Sequence, residues 1–312
     1  MDVIRYPADP PPKQWRAPVL ALGNFDGLHR GHVKIIDRVH RSAVERGATA
    51  VALTFDPHPT QVTRPDKAPP LLMTAGQKLE AFELAGMHGA AVVSFTPEFS
   101  RWDPDLFVRR VLVDWLRISE VWVGANFLFG HDRAGNFSVL RQLGSRYGFR
   151  AEKIDPVRYK DFVVSSTRIR RLVSEGRVDE AAALLGRHYF IDGEVVRGDG
   201  RGQQIGFPTA NLVTANRVIP PHGVYASIVR LDRACWPSVT NVGTRPTFGA
   251  GAAPSIETHL LDGSRDLYGE TLRLFFVQRL RDERPFESAQ ALAAQIAEDC
   301  RLVRALFEQV SV

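Results

Sequence analysis

Cysteine is nearly absent from this 312-residue chain, which has only Cys235 and Cys300. They lie far apart and in no CxxC spacing, which excludes a disulfide framework and a cysteine zinc site. Long apolar runs are missing as well, since nothing approaches the roughly 18 consecutive apolar residues of a membrane span. The N-terminus, MDVIRYPADPPPKQW, lacks the apolar segment of a secretory signal. A soluble, cytoplasmic protein is the expectation. Lysine is scarce too, six residues against 34 arginines, with none after Lys160. A Walker A loop needs its lysine on the β- and γ-phosphates, so the C-terminal part cannot be a P-loop kinase.

What is present is a globular composition, 44% hydrophobic and 24% charged, long enough for two domains. The net charge is +5, and it is unevenly placed. Residues 1–186 hold 26 basic and 21 acidic side chains, whereas residues 187–312 hold 14 of each, so an anionic ligand is expected in the first part. A nucleic-acid surface calls for a basic stripe with interleaved aromatics. The arginines here are scattered among acids.

From Pro18 to about Ile154, apolar runs at Val19–Leu22, Ala50–Phe55, Ala90–Phe95 and Val121–Val123 alternate with helical patterns at His32–Arg46, Lys78–Ala85 and Leu106–Leu116. That alternation predicts an α/β domain with a parallel, Rossmann-like sheet, and a ligand outside the C-terminal ends of its strands. The chemistry is then expected in the loops Gly23–His32, Asp56–Pro59 and Gly124–His131. A helical stretch follows Arg168 and runs to about Leu185, and the boundary is placed at residue 186, giving domains 1–186 and 187–312. Beyond it, short runs at Phe190–Val196, Gly223–Leu231, Ser255–Leu260 and Leu272–Val277 among Gly and Pro turns predict an antiparallel β-barrel. Leu292, Ile296, Cys300, Val303, Phe307 and Val310 are spaced for one face of a terminal helix. Pro7 to Pro12 read as a flexible arm.

The first loop reads Gly23-Asn24-Phe25-Asp26-Gly27-Leu28-His29-Arg30-Gly31-His32. Its glycines let backbone approach a ligand, and a helix start near His32 favours phosphate. His29 and His32 there can donate to a triphosphate and stabilise a departing pyrophosphate. Isolated, an HxxH is a pair of surface residues beside a turn; the strand before it and the motif around it favour function. A zinc reading lacks third and fourth ligands. Ser165-Ser166-Thr167, followed by Arg168 and Arg170, combines a helix cap with positive charge.

Gly23–His32 resembles the GxFDGxHxGH motif of the nucleotidylyltransferase superfamily, and Val164–Arg170 resembles its ISSTxxR motif. The segments Thr54-Phe55-Asp56-Pro57-His58-Pro59 and Gly124-Ala125-Asn126-Phe127-Leu128-Phe129-Gly130-His131 narrow the resemblance to prokaryotic bifunctional riboflavin kinase/FMN adenylyltransferases, or FAD synthetases. The resemblance implies that FMN and ATP give FAD and pyrophosphate in the first domain. There His29 and His32 are catalytic, and Gly23, Phe25, Asp26, Gly31, Asn126, Arg158, Ser165, Thr167 and Arg168 bind ATP or pyrophosphate. Asp56 and His58 are expected at the flavin, with a turn role for His58 left open.

In the second domain, Gly198-Asp199-Gly200-Arg201-Gly202 leads through Gly206-Phe207 into Pro208-Thr209-Ala210-Asn211, a glycine-rich loop joined to neutral oxygens that suit Mg²⁺ carried by ATP. This resembles the riboflavin kinase signature. The resemblance implies ATP binding by Gly198, Gly200, Gly202, Gly206, Pro208, Asn241 and Arg245, metal contact by Thr209 and Asn211, and Glu257 as the base for the ribityl hydroxyl. The expected partners are riboflavin, FMN, FAD, ATP and Mg²⁺, with no nucleic acid or membrane, in a monomer or weak homo-oligomer. Two other readings stay open: a nucleotidylyltransferase for a phosphopantetheine-like or nicotinamide mononucleotide substrate, and a non-enzymatic nucleic-acid binder.

Overall fold

The computed structural model describes residues 1–198, 200–243, 254–261 and 266–309. Backbone contacts divide the chain into two units, Met1–Ser166 and Thr167–Val312. The first unit carries β1 (Asp2–Tyr6), β2 (Val19–Leu22), β3 (Ala50–Asp56), β4 (Gly89–Ser94) and β5 (Glu120–Gly124). A small ladder of β6 (Leu128–Phe129) and β7 (Gly135–Asn136) precedes β8 (Arg150–Ile154). The main sheet runs β1-β4-β3-β2-β5-β8, every pair parallel. Helices α1 (Arg30–Arg46), α2 (Pro59–Thr63), α3 (Ala75–Leu84), α4 (Pro104–Phe107) and α5 (Phe137–Tyr147) join the strands, with a π-helical stretch at Val108–Trp115.

The four residues of β2 and the first five of β3 are buried, as apolar runs covered on both faces must be. Strand order reverses between β2 and β5, and the crevice at such a switch point is where ligands sit in open α/β sheets. Because the sheet is parallel, the loops after β2, β3 and β5 leave from one edge.

The N-terminal arm is a correction. Asp2–Tyr6 pairs with β4 as an edge strand, and the proline stretch behind it is pinned: Trp115 Nε1 donates to Asp9 O at 2.8 Å, and Trp15 Nε1 to Asp2 Oδ2 at 3.0 Å. Prolines need no ladder partner, so they suit the segment leaving a sheet edge.

The hairpin of β9 (Arg158–Tyr159) and β10 (Phe162–Val163) closes the first unit. Next come α6 (Ser166–Ser174) and α7 (Val178–Leu185), separated at Gly176, where φ is +78°. The second unit is a closed barrel of β11 (Tyr189–Val196), β12 (Ala210–Thr214), β13 (Gly223–Leu231), β14 (Ala234–Gly243), β15 (Ser255–Leu260) and β16 (Thr271–Arg281), in the order β11-β12-β15-β14-β13-β16. One helical turn, α8 (Arg201–Gln204), interrupts the glycine-rich loop.

Leu272, Leu274 and Phe276 face the barrel interior fully buried, and so do Ser227, Ser238, Thr240 and Thr258. The hydroxyls satisfy one another: Ser227 Oγ lies 2.8 Å from Ser238 Oγ and 2.7 Å from Thr240 Oγ1, which donates to Thr258 Oγ1 at 2.9 Å. On the outside, α9 (Ala289–Gln309) packs Cys300 and Val303, with Ile296 and Phe307 beside them, on Val224, Ala226 and Val239. Val310 lies outside the described residues.

Candidate functional sites

The loop after β2 reverses direction with Phe25 and Leu28 at positive φ, +52° and +35°. Such backbone persists only where its surroundings over-determine it. Phe25 is fully buried, edge-on to Phe82 (ring centroids 5.3 Å apart) and to His32 (5.2 Å), so its ring supports the second histidine from below. Asp26, also buried, accepts the backbone N–H of Leu72 at 2.9 Å. The loop's conformation therefore depends on a segment some 45 residues away.

His29 is the N-cap of α1, its Nδ1 accepting from His32 N at 3.3 Å. A neutral imidazole that accepts at Nδ1 carries its proton on Nε2. The two rings stack 3.6 Å apart at 15°. A Cβ at Gly31 would stand 3.1 Å from His29 Cε1, so glycine leaves room for the first ring. Gly23 follows β2 directly, and its N–H donates to Leu53 O at 3.1 Å.

The neighbouring strand end brings Thr54 Oγ1 within 3.2 Å of Asn24 O, to which it donates. Asp56 is exposed beyond it. His58 caps α2, its Nδ1 accepting from Thr60 N at 3.3 Å, while Gln61 Oε1 accepts from His58 N at 3.1 Å. Asn126 is exposed in the turn after β5, where Phe127 N donates to Gly124 O at 3.1 Å; Phe127 and Phe129 stack and belong to the core. Arg158 is exposed on β9, its guanidinium donating to Asp161 O at 3.1 Å.

Ser165 and Ser166 end the first unit. Ser166 Oγ donates to Asp26 O at 2.8 Å and so ties the distal serine motif to the histidine loop across 140 positions. The resemblance implies phosphate binding by Ser165, Thr167 and Arg168 and gives Ser166, which stands with them as part of the helix cap, no separate role; its place in the motif was the available signal. Thr167 and Arg168 follow in the first turn of α6.

In the second unit, Asn211 pairs opposite Glu257 across β12 and β15, and Glu257 opposite Asn241 across β15 and β14. Directly opposed residues share a face, so the three form a row on the outside of the barrel. Glu257 is half-buried, and its Oε1 accepts from Ser255 Oγ at 3.1 Å. Asn241 Nδ2 donates to Glu283 Oε1 at 3.2 Å. The glycine-rich loop folds onto this row: Phe207 N donates to Gly202 O at 2.8 Å, and a Cβ at Gly198 would overlap the Asn211 amide. Gly200 and Gly206 take positive φ, +69° and +85°. His259 fastens the turn, with Nδ1–H donating to Pro208 O at 2.8 Å and its ring edge-on to Phe207. Neither His259 nor Glu283 stood out in the sequence, although His259 repeats the strand phase of Glu257. Thr209 is half-buried beside Asn211, and Arg245 lies outside the described residues. Among the described residues no cluster of three or more His, Cys, Asp or Glu could hold a metal ion. Thr209 and Asn211 supply neutral oxygens, donors suited to an ion already shared with phosphates.

Residues 11–168 match the family described as FAD synthetase, and residues 185–307 the family described as riboflavin kinase. The bifunctional riboflavin kinase/FMN adenylyltransferase of Pseudomonas fluorescens is 38% identical over 291 residues, 93% of either chain. The protein of that description from Escherichia coli K12 is 36% identical over 290 residues, 93% of this chain and 92% of its own. Among solved structures, one described as a macrolide-efflux protein from Streptococcus pneumoniae superposes with a TM-score of 0.87 at 26% identity, over 97% of this chain and 99% of the other. Among the described residues no helix is long and apolar enough to cross a membrane.

Proposed function

The chain belongs to the bifunctional riboflavin kinase/FMN adenylyltransferase family, and from that premise we propose which residues carry each of its two steps. The protein phosphorylates riboflavin with ATP to FMN and adenylylates FMN with a second ATP to FAD, releasing pyrophosphate. We assign the second reaction to residues 1–186 and the first to 187–312; the start of the riboflavin kinase match at residue 185 supports that division.

For adenylyl transfer, the FMN phosphate is itself an anionic nucleophile, so the protein's task is alignment with the α-phosphorus and support of the leaving group. His29 and His32 donate to the phosphates that depart as pyrophosphate. The backbone at Gly23, Phe25, Asp26 and Gly31 cradles the nucleotide, Asn126 borders it, and Arg158, Ser165, Thr167 and Arg168 add donors and positive charge. Asp56 lines the flavin side. His58 acts there through the cap it places on α2, a role its Nδ1 contacts support.

Riboflavin's ribityl hydroxyl must lose a proton as it attacks the γ-phosphorus, and Glu257 accepts it. The observation that carries this assignment is the row of Asn211, Glu257 and Asn241 across three strands, with the glycine-rich loop folded onto it. Gly198, Gly200, Gly202, Gly206 and Pro208 shape the ATP phosphate cradle, joined by Asn241 and Arg245. Thr209 and Asn211 hold Mg²⁺, which when bound neutralises charge on the ATP phosphates. We place the enzyme in the cytoplasm, where ATP is supplied, acting on small molecules.

Incubation of the chain with riboflavin and MgATP, followed by chromatography, tests the reading. FMN should form first and FAD after it, and chelation of Mg²⁺ should stop both. Turnover without FMN would overturn the kinase assignment.

A further inference from the structure

Lys78 is a buried charged group whose position the two reactions leave unexplained. It sits on α3 with 7% of its surface exposed, and a lysine so buried requires a partner. Its Nζ donates to Thr54 Oγ1 at 3.3 Å, and Thr54 donates onward to Asn24 O at 3.2 Å, inside the histidine loop. Burial pushes the ammonium's pKa down, and the nearby carboxylates of Asp26 and Asp56 pull it back up. Asp26 in turn accepts from Leu72 N and Met73 N, just ahead of the Thr74–Gln77 capping box that starts α3. Lysine, threonine hydroxyl and loop carbonyl thus form one chain of contacts reaching the backbone that is to receive phosphate, with the buried Asp26 carboxylate near enough to act on the lysine's charge.

We propose that Lys78 is a positioning residue of the adenylyl-transfer site: through Thr54 it fixes the Asn24 carbonyl, and its charge offsets Asp26 and Asp56. A carbonyl held from below keeps the following N–H groups turned toward the ligand. Two uncompensated carboxylates would instead repel the triphosphate and the FMN phosphate that must meet there. This inference rests on the adenylyltransferase reading of the first unit. A wild-type chain that makes no FAD from FMN and MgATP overturns that reading, whereas the variants below test Lys78 within it.

Thr54→Val removes the hydroxyl at nearly constant shape, Thr54→Ser keeps the hydroxyl and removes the methyl, and Lys78→Met removes the charge. Losing a hydrogen bond to a charged group costs about 10- to 100-fold. Thr54→Val should therefore lower kcat/KM for FAD formation about tenfold and Lys78→Met about 100-fold, while the riboflavin kinase rate stays at the wild-type value. Thr54→Ser should behave as wild type, and Thr54→Val combined with Lys78→Met should be no worse than Lys78→Met alone, because both cut one chain of contacts. Thermal melts establish that each variant is folded. A purely packing role predicts the reverse order, Thr54→Ser worse than Thr54→Val. That order, wild-type kcat/KM in Thr54→Val, or independent effects in the double variant would overturn the proposal. If Lys78→Met does not fold, the two Thr54 variants decide it.

Discussion

His29 serves two purposes with one ring. Nδ1 caps α1 by accepting from His32 N, which leaves the proton on Nε2, the atom the proposed function assigns to a phosphate. The purposes separate by substitution. Asparagine restores a cap without the distal nitrogen, whereas alanine removes both. His29→Asn and His29→Ala should each slow FAD formation by about 10²- to 10³-fold, the usual cost of one transition-state donor. Thermal melts should distinguish them, with alanine losing about 1 kcal/mol that asparagine retains. Full activity in His29→Asn would leave Nε2 without a role. At this scale the short motifs stood out because the residues proposed to face the ligand lie within ten residues of one another. Ser166, Lys78 and His259 were not, because their significance depends on Asp26, Thr54 and Pro208, partners 24 to 140 positions away. No local pattern carries such a pairing.

Elements were readable where burial follows a simple rule. The parallel strands β2 to β5 are apolar runs, and α1 begins at the histidines and ends at Gly47 with φ +60°. Two barrel strands escaped for physical reasons. β14 carries Pro237 in its first half and then turns Ser238 and Thr240 inward, where alternation calls for apolar side chains; the hydroxyl ladder makes polar residues acceptable there. β12 begins inside the Pro-Thr-Ala-Asn segment, whose turn chemistry concealed it. The terminal helix was found by its apolar face, yet its anchor is polar. Asp299, 1% exposed on α9, accepts Arg281 Nη2 at 2.7 Å and Nε at 3.0 Å, and Gln295 Nε2 at 2.9 Å. Asp299→Ala strands Arg281 at the end of β16 and should cost about 3 kcal/mol in denaturant unfolding of the second unit. An unchanged midpoint would mean that apolar packing alone holds α9.

For the whole molecule, the uneven charge is consistent with the division of labour. The basic excess lies in the part assigned to the meeting of ATP and FMN, while the neutral, lysine-free part is the one in which phosphate is assigned to glycine backbone, Thr209 and Asn211. The units differ in architecture, an open parallel sheet against a closed antiparallel barrel, so each can lose its chemistry without the other. The most direct test is complementation between two disabled chains. His29→Ala/His32→Ala should convert riboflavin to FMN and stop there, and Glu257→Gln should make FAD from supplied FMN but leave riboflavin untouched. Mixed together with riboflavin and MgATP, they should produce FAD that neither yields alone. A mixture that forms no FAD, or either variant losing both activities, would contradict two independent sites on one chain.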